Sequence, residues 1–343
     1  MVLHKAKTII MEGVSKDTKS LFHKVKSIDS ILIDDIQKAQ RIAIEEILNT
    51  PLVKLHHDVP GKEIYLKLES LQPVGSFKVR GAFNAIKNLD RSKCQSVATA
   101  SAGNFAQGLA WVSKKEGIKC TAYCPDTVPR IKEDRIKEFG AEINKVTFDE
   151  WWNIMTKGGL DEPSSSIEND SFIHACCEYD AIAGNGVIGL EIAEQLDDFD
   201  AVVCPWGGGS NLLGTASALK HVRPNVKAYA CEVDVAAPLH ASLKAGKPSS
   251  VKDWQSTFVD GMNGKSLFPC MWNMAKNLVH ESVLVDVESI CHATRLLASR
   301  SKLIAEGAGA ATVAAALSDK IPPGKIVCVI SGGNIDTLSL IHI

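Results

Sequence analysis

Short apolar runs alternate with amphipathic stretches along most of this chain, and that alternation is its strongest constraint on fold. Strands are expected at 64–68, 96–100, 119–123, 142–147, 201–204, 226–232 and 325–330. Helices are expected at 77–88, 104–116, 129–138 (stopped by Gly140), 149–157, 186–197, 211–220, 288–300 and 308–317. An earlier helix is marked by Asp34 and Asp35 as caps, by Ile36, Ala39, Ala43 and Ile47 at helical spacing, and by Pro51 at its end. Strand–helix alternation of this kind implies an α/β fold, with parallel-type sheets flanked by helices on both faces. The 343 residues leave room for two lobes. Residues 158–170, with Gly158, Gly159, Pro163 and Ser164 to Ser166, are expected to form an exposed loop.

Charge and composition remove several functions. Net charge is −2 with no long basic run, so nucleic-acid binding has no electrostatic footprint. No apolar run is long enough to span a bilayer. The ten cysteines are scattered, with Cys176 and Cys177 adjacent, and are expected to be core thiols in a reducing, cytoplasmic setting. Cys120 and Cys124 are spaced like half a metal site, but no second pair accompanies them, and there is no HExxH. No metal is expected. Residues 1–27 carry six lysines and two acidic residues without arginine or a signal-type apolar core. They are expected to be an N-terminal extension that contacts another subunit.

Three strand–loop–helix junctions and one lysine carry the chemistry. Lys78 follows Gly75-Ser76-Phe77 and opens a helical run. Helix N-termini and buried settings favour the neutral amine that bonds to an aldehyde, and pyridoxal phosphate is the cofactor that uses such a lysine. Pro205-Trp206-Gly207-Gly208-Gly209-Ser210-Asn211 joins a strand to a helix, and its glycines let backbone N–H groups crowd around an anion. It is neither a Walker loop nor GxGxxG. Ser101-Ala102-Gly103-Asn104-Phe105 opens another helix, where exposed N–H groups suit a carboxylate. Ser331-Gly332-Gly333-Asn334 follows the last strand.

Taken together and in this order, these segments resemble the serine/threonine dehydratase family, which includes threonine ammonia-lyases and serine racemases. These are fold type II pyridoxal-phosphate enzymes with the two-lobed, tryptophan synthase β-like architecture. The resemblance covers roughly residues 28–343. It implies a large cofactor-binding domain (28–92 plus 176–343) and a small domain (93–175). It also implies pyridoxal 5'-phosphate bound covalently to Lys78, beside Phe77. Gly207, Gly208, Gly209, Ser210 and Asn211 would hold the phosphate, with Ser210 standing where a fourth glycine is usual. Asn104 would touch the ring hydroxyl, Ser331 the ring nitrogen, and Gly261 would lie beside the ring. Ser101, Ala102, Gly103, Asn104 and Phe105 would grip the substrate carboxylate.

The implied reaction is α,β-elimination from a β-hydroxy L-amino acid, L-threonine or L-serine, giving a 2-oxo acid and ammonia. Lys78 would be the catalytic base. Ala102 stands where racemases carry a second serine base, which favours elimination over racemisation. Phe105 replaces the usual histidine and keeps another β-substituted substrate, such as 3-hydroxyaspartate, open. A serine racemase and a non-catalytic cofactor-binding subunit are the further alternatives. Glu232 and Ala236 match two cation ligands of some relatives, but Pro238 occupies the third place. Segments 182–191 and 305–311 are expected to be scaffold. About ten residues follow Asn334, so the resemblance implies a catabolic form without an appended regulatory domain. It further implies a homodimer.

Overall fold

The computed structural model describes residues 28–158 and 170–343. Two sheets organise it. The larger contains β1 (Leu52–Lys54), β2 (Lys62–Lys67), β7 (Ala201–Pro205), β8 (Lys227–Val233), β9 (Glu281–Val285) and β10 (Gly324–Val329), in the order β1-β2-β10-β7-β8-β9. The smaller contains β3 (Ser96–Ala100), β4 (Lys119–Pro125), β5 (Glu142–Val146) and β6 (Asp170–Phe172), in the order β5-β4-β3-β6. Every pairing is parallel except β1 with β2.

The helices are α1 (Ile33–Ala43), α2 (Lys78–Lys87), α3 (Asn104–Lys115), α4 (Arg130–Glu138), α5 (Phe148–Lys157), α6 (Tyr179–Gln195), α7 (Ser210–Val222), α8 (Pro238–Ala245), α9 (Trp272–Leu278), α10 (Val287–Leu296), α11 (Gly307–Leu317) and α12 (Thr337–His342). All five residues of β7 are buried, as expected for a parallel strand covered on both faces.

α6 is buried on nearly every side because α1, α2 and α7 all pack on it. Glycine permits the close approach. A Cβ on Gly184 would strike the Arg80 carbonyl and Asn84, and one on Gly214 would strike the Ile182 carbonyl. At this junction four charged side chains are shut in together. Arg80 Nε and Nη2 donate to Glu69 at 2.7 and 2.8 Å, and its Nη1 and Nη2 donate to Glu191 at 2.8 and 2.7 Å. Lys67 Nζ donates to Glu191 at 2.5 Å and to the Thr50 carbonyl at 2.6 Å. The cluster fastens the face of α2 that points away from Lys78.

Several expectations are corrected. α1 begins at Ile33 with Leu32 as its cap, so Asp34 and Asp35 lie in its first turn, where they face the helix's positive end. It stops at Ala43, well before Pro51. α6 starts at Tyr179, earlier than 186, because Gly184 and Gly186 break the apolar period without breaking the helix. The expected helix 288–300 is α10 followed by a π turn at Leu297–Ser301. β1, β6, α8, α9, β9 and α12 were not anticipated, and β6 occupies the end of the expected 158–170 loop. Residues 159–169 and the N-terminal extension lie outside the described residues. The cysteines are not all thiols: Cys177 and Cys270 are bonded, and the other eight are free, all but Cys291 buried.

Candidate active site

Lys78 is the first residue of α2. Its Nζ donates to the Ala175 carbonyl at 3.2 Å and lies 5.0 Å from the centre of the Phe77 ring and 5.6 Å from that of Phe105. α3 approaches closely because its Gly108 has no side chain; a Cβ there would press on the Lys78 backbone. The next residue after Ala175 ties this amine to the glycine loop, since a Cβ on Gly208 would run into Cys176 Sγ.

The glycine loop links β7 to α7. Gly209 caps α7 with φ +90°, in the left-handed region, against the Trp206 ring. A Cβ on Gly207 would collide with the Gly261 carbonyl, so the Asp260–Met262 turn closes over the loop. Ser210 and Asn211 start α7 and are buried. Thr215 Oγ1 donates to Asn211 Oδ1 at 3.5 Å, while Asn211 Nδ2 is buried without a partner. Ser76 Oγ, two residues before Lys78, is also buried without one. Buried polar atoms are ordinarily satisfied, so these two mark where a polar ligand belongs.

The Ser331–Asn334 segment folds against the turn before Lys78. Phe77 N donates to the Ser331 carbonyl at 3.0 Å and Gly333 N to the Gly75 carbonyl at 2.9 Å. Gly75 has φ +71°, and a Cβ there would collide with the Asn334 amide. Asn334 Nδ2 donates to the Val74 carbonyl at 2.8 Å and to Asn104 Oδ1 at 2.9 Å. Asn104 Nδ2 in turn donates to both oxygens of Glu306, at 2.9 and 3.1 Å. Ser101 Oγ accepts from Gly103 N at 3.3 Å, and Ala102 and Phe105 pack on the main core. The structure therefore gathers Lys78, Phe77, Phe105 and the glycine loop around Ala175-Cys176, and Asn104 joins Ser331–Asn334 through Asn334.

Two groups here were not anticipated. Glu306 lies in a segment expected to be scaffold, yet it holds Asn104; burial lifts its carboxyl to about 7. It lines a cavity of about 350 Å3 with Gln107, Lys132, Asp260, Gly261 and Asn334. Lys132 pairs with Asp260 across this cavity, joining the small sheet's helices to the Gly261 turn. His174 is the second. Its Nδ1 accepts from Cys176 N and Cys177 N at 2.9 Å, and its Nε2 donates to the Met155 carbonyl at 2.9 Å. Burial pulls its imidazole down to about 4, so it stays neutral and fixes the 174–177 bend.

Glu232 is occupied as a cap. Its oxygens accept from Leu239 N and His240 N at 2.8 Å and from Ser282 Oγ at 2.5 Å, at the start of α8. Among the described residues no group of three metal-ligating side chains is gathered, and no helix is long and apolar enough to cross a membrane.

Known proteins resemble this one over most of its length. An L-threonine ammonia-lyase of Thermotoga maritima is 37% identical over 312 residues, which cover 89% of this chain and 76% of the relative. The crystal structure of serine racemase from Dictyostelium discoideum superposes with a TM-score of 0.80 at 32% identity, over 89% of this chain and 99% of that one. The processed form of threonine deaminase isoform 2 from Solanum lycopersicum gives 0.79 at 30% identity, over 95% and 92%. The fold is thus that of the fold type II pyridoxal-phosphate enzymes. An amine beside an anion loop, with unpartnered Ser76 Oγ and Asn211 Nδ2, fits a phosphorylated aldehyde. The model of the pyridoxal-phosphate dependent enzyme family matches residues 44–332, and the chain belongs to that family.

Proposed function

We propose that this protein is an ammonia-lyase that eliminates the β-hydroxyl of L-threonine or L-serine and yields a 2-oxo acid and ammonia. The observation that carries the reading is the Lys78 amine, at a helix start and one dipeptide away from a loop whose glycines admit no side chain. Lys78 would hold pyridoxal 5'-phosphate covalently, with Phe77 beside the ring. Gly207 to Asn211 and Ser76 would hold its phosphate. Asn104 and Ser331 would meet the ring's hydroxyl and nitrogen, and Gly261 would lie beside it. When bound, the cofactor supplies an electron sink for the substrate's α-carbon.

The remaining work falls to the chain. The 101–105 loop opens α3, so Gly103 and Asn104 lend N–H groups and a helix N-terminus to the substrate carboxylate. Lys78 Nζ would remove the substrate's α-proton. Glu306 and Asn334 hold the Asn104 amide from both ends. Ser331 would offer the ring nitrogen a neutral hydroxyl rather than a carboxylate, a setting that would suit elimination. Ala102 supplies no acid or base on the opposite face, so the α-proton is not returned there, and elimination is favoured over the racemase reading.

The reading includes a small domain of residues 93–175 beside a large one of 28–92 plus 176–343, a homodimer, and a cytoplasmic site of action. The test is absorbance. Purified holoenzyme should show the visible band of the bound cofactor, the band should shift with L-threonine or L-serine, and ammonia should appear. Lys78→Ala should lose the covalent band and turnover. A wild type without the band, or a Lys78→Ala variant that keeps both band and turnover, overturns the assignment.

A further inference from the structure

The space around the Lys78 amine is unevenly supplied with charge. Two aromatic rings face the amine, Phe77 and Phe105. Phe105 is 3% exposed and sits in the first turn of α3, three residues before Gly108 on the same helix face. Because Gly108 lets α3 rest on the Lys78 backbone, the Phe105 ring is held against the amine rather than free to swing away. Ala102 packs on the same cluster. On the far side His174 is neutral with both nitrogens committed, and Phe268 stands edge-on to it at 5.3 Å.

Two cations are among the described residues that line the neighbouring cavity, and both are engaged. Lys132 is paired with Asp260, and Arg135 lies 5.2 Å from the Phe139 ring and 3.5 Å from Glu138. The nearby acid, Glu306, is held by Asn104. None of these groups offers an uncommitted positive charge to a second carboxylate on a substrate.

We infer that Phe105 is a specificity-determining residue, whose ring makes the site accept β-hydroxy amino acids with uncharged side chains and reject those with a second carboxylate. This deepens the ammonia-lyase reading and rests on it. An anion against a ring face meets the negative side of the aromatic quadrupole and loses water without gaining a partner. A methyl group in the same place gains contact, and one such group is worth about tenfold in selectivity. The ring therefore favours threonine's extra methyl over serine's hydrogen and disfavours the carboxylate of 3-hydroxyaspartate.

The test uses holoenzyme and two ligands without a β-leaving group, L-2-aminobutyrate and L-aspartate, with Kd read from the change in the cofactor's absorption. Ammonia release from L-serine, which has neither the methyl group nor the second carboxylate, is the control. Wild type should bind L-2-aminobutyrate at least about a hundredfold more tightly than L-aspartate. Phe105→His and Phe105→Gln, which put hydrogen-bonding groups in place of the ring, should each narrow that ratio by about tenfold or more. Equal binding of the two ligands by wild type overturns the inference. So does an unchanged ratio in a folded variant that still releases ammonia from L-serine. If no amino acid perturbs the band or releases ammonia, the ammonia-lyase reading itself fails and this inference falls with it. A His variant that fails to fold leaves the wild-type ratio and the Gln variant to decide.

Discussion

Replacing Arg80 with methionine tests how the helix bearing Lys78 is anchored. The guanidinium is 3% exposed and makes four hydrogen bonds to two carboxylates, plus one from Nη2 to the Leu48 carbonyl at 3.1 Å. Without it, Glu69 and Glu191 share only the Lys67 ammonium, and one negative charge is left buried and uncompensated. Removing one member of a buried ion pair costs about 3–5 kcal/mol. For a chain of this length that corresponds to a fall in Tm of about 4–7 °C.

Acid should narrow the deficit. Burial raises the Glu69 carboxyl, but in the wild type Arg80, Lys67 and Thr50 more than offset it and hold it below its ordinary value, so wild-type stability is lost as pH falls through that folded value. In Arg80→Met burial stands less opposed, and protonating Glu69 relieves the strain instead. The double variant Glu69→Gln/Arg80→Met should recover part of the loss. Thermal or urea unfolding of holoenzyme at pH 7.5 and pH 5 measures all three. A loss below about 1 kcal/mol at pH 7.5, or a deficit that grows in acid, refutes the argument.

Two further outcomes follow from the site. Gly208→Ala should push a Cβ into Cys176 Sγ and Cβ and weaken cofactor retention about tenfold on dialysis; Cys176→Gly in the same chain removes both clashing atoms and should restore part of it. His174 is held at about 4 by burial, against about 6.5 unfolded, so its contribution is present above pH 6.5 and is lost as pH falls toward 4. The stability advantage of wild type over His174→Gln should therefore shrink on acidification, by up to about 3 kcal/mol. An advantage independent of pH would show that burial does not shift the His174 pKa between the folded and unfolded protein, and would refute this reading.

Much of this architecture was legible because chemistry and local structure coincide. An anion loop needs a strand before it and a helix after it, so β7 and α7 were visible around Gly207–Gly209, as were β3 and α3 around Ser101–Phe105. Between Val233 and Asp286 no apolar period is sustained; α8 rests on β9, α9 on α7, and β9 on its pairing with β8 instead. Glu306 stayed hidden because its partner Asn104 is 202 positions away. Lys67 and Glu69 precede Lys78 closely in the chain, but nothing local says that both are buried. That depends on Arg80 and on Glu191, 124 positions from Lys67. The Cys177–Cys270 bond joins residues 93 apart in the chain, and no spacing signal marks it.

The 174–177 bend braces segments that lie far apart in the chain. Ala175 and Cys176 contact the Lys78 amine and the glycine loop directly, and Ile173 N donates to the Ala98 carbonyl at 2.8 Å, tying the bend to β3. Residues 101–105, which follow β3, are fastened in turn by Asn104 to Glu306 and Asn334, and α3 rests on the Lys78 backbone at Gly108. The frame is therefore closed on itself, so a substitution that displaces the bend should disturb the amine, the glycine loop and the 101–105 turn together.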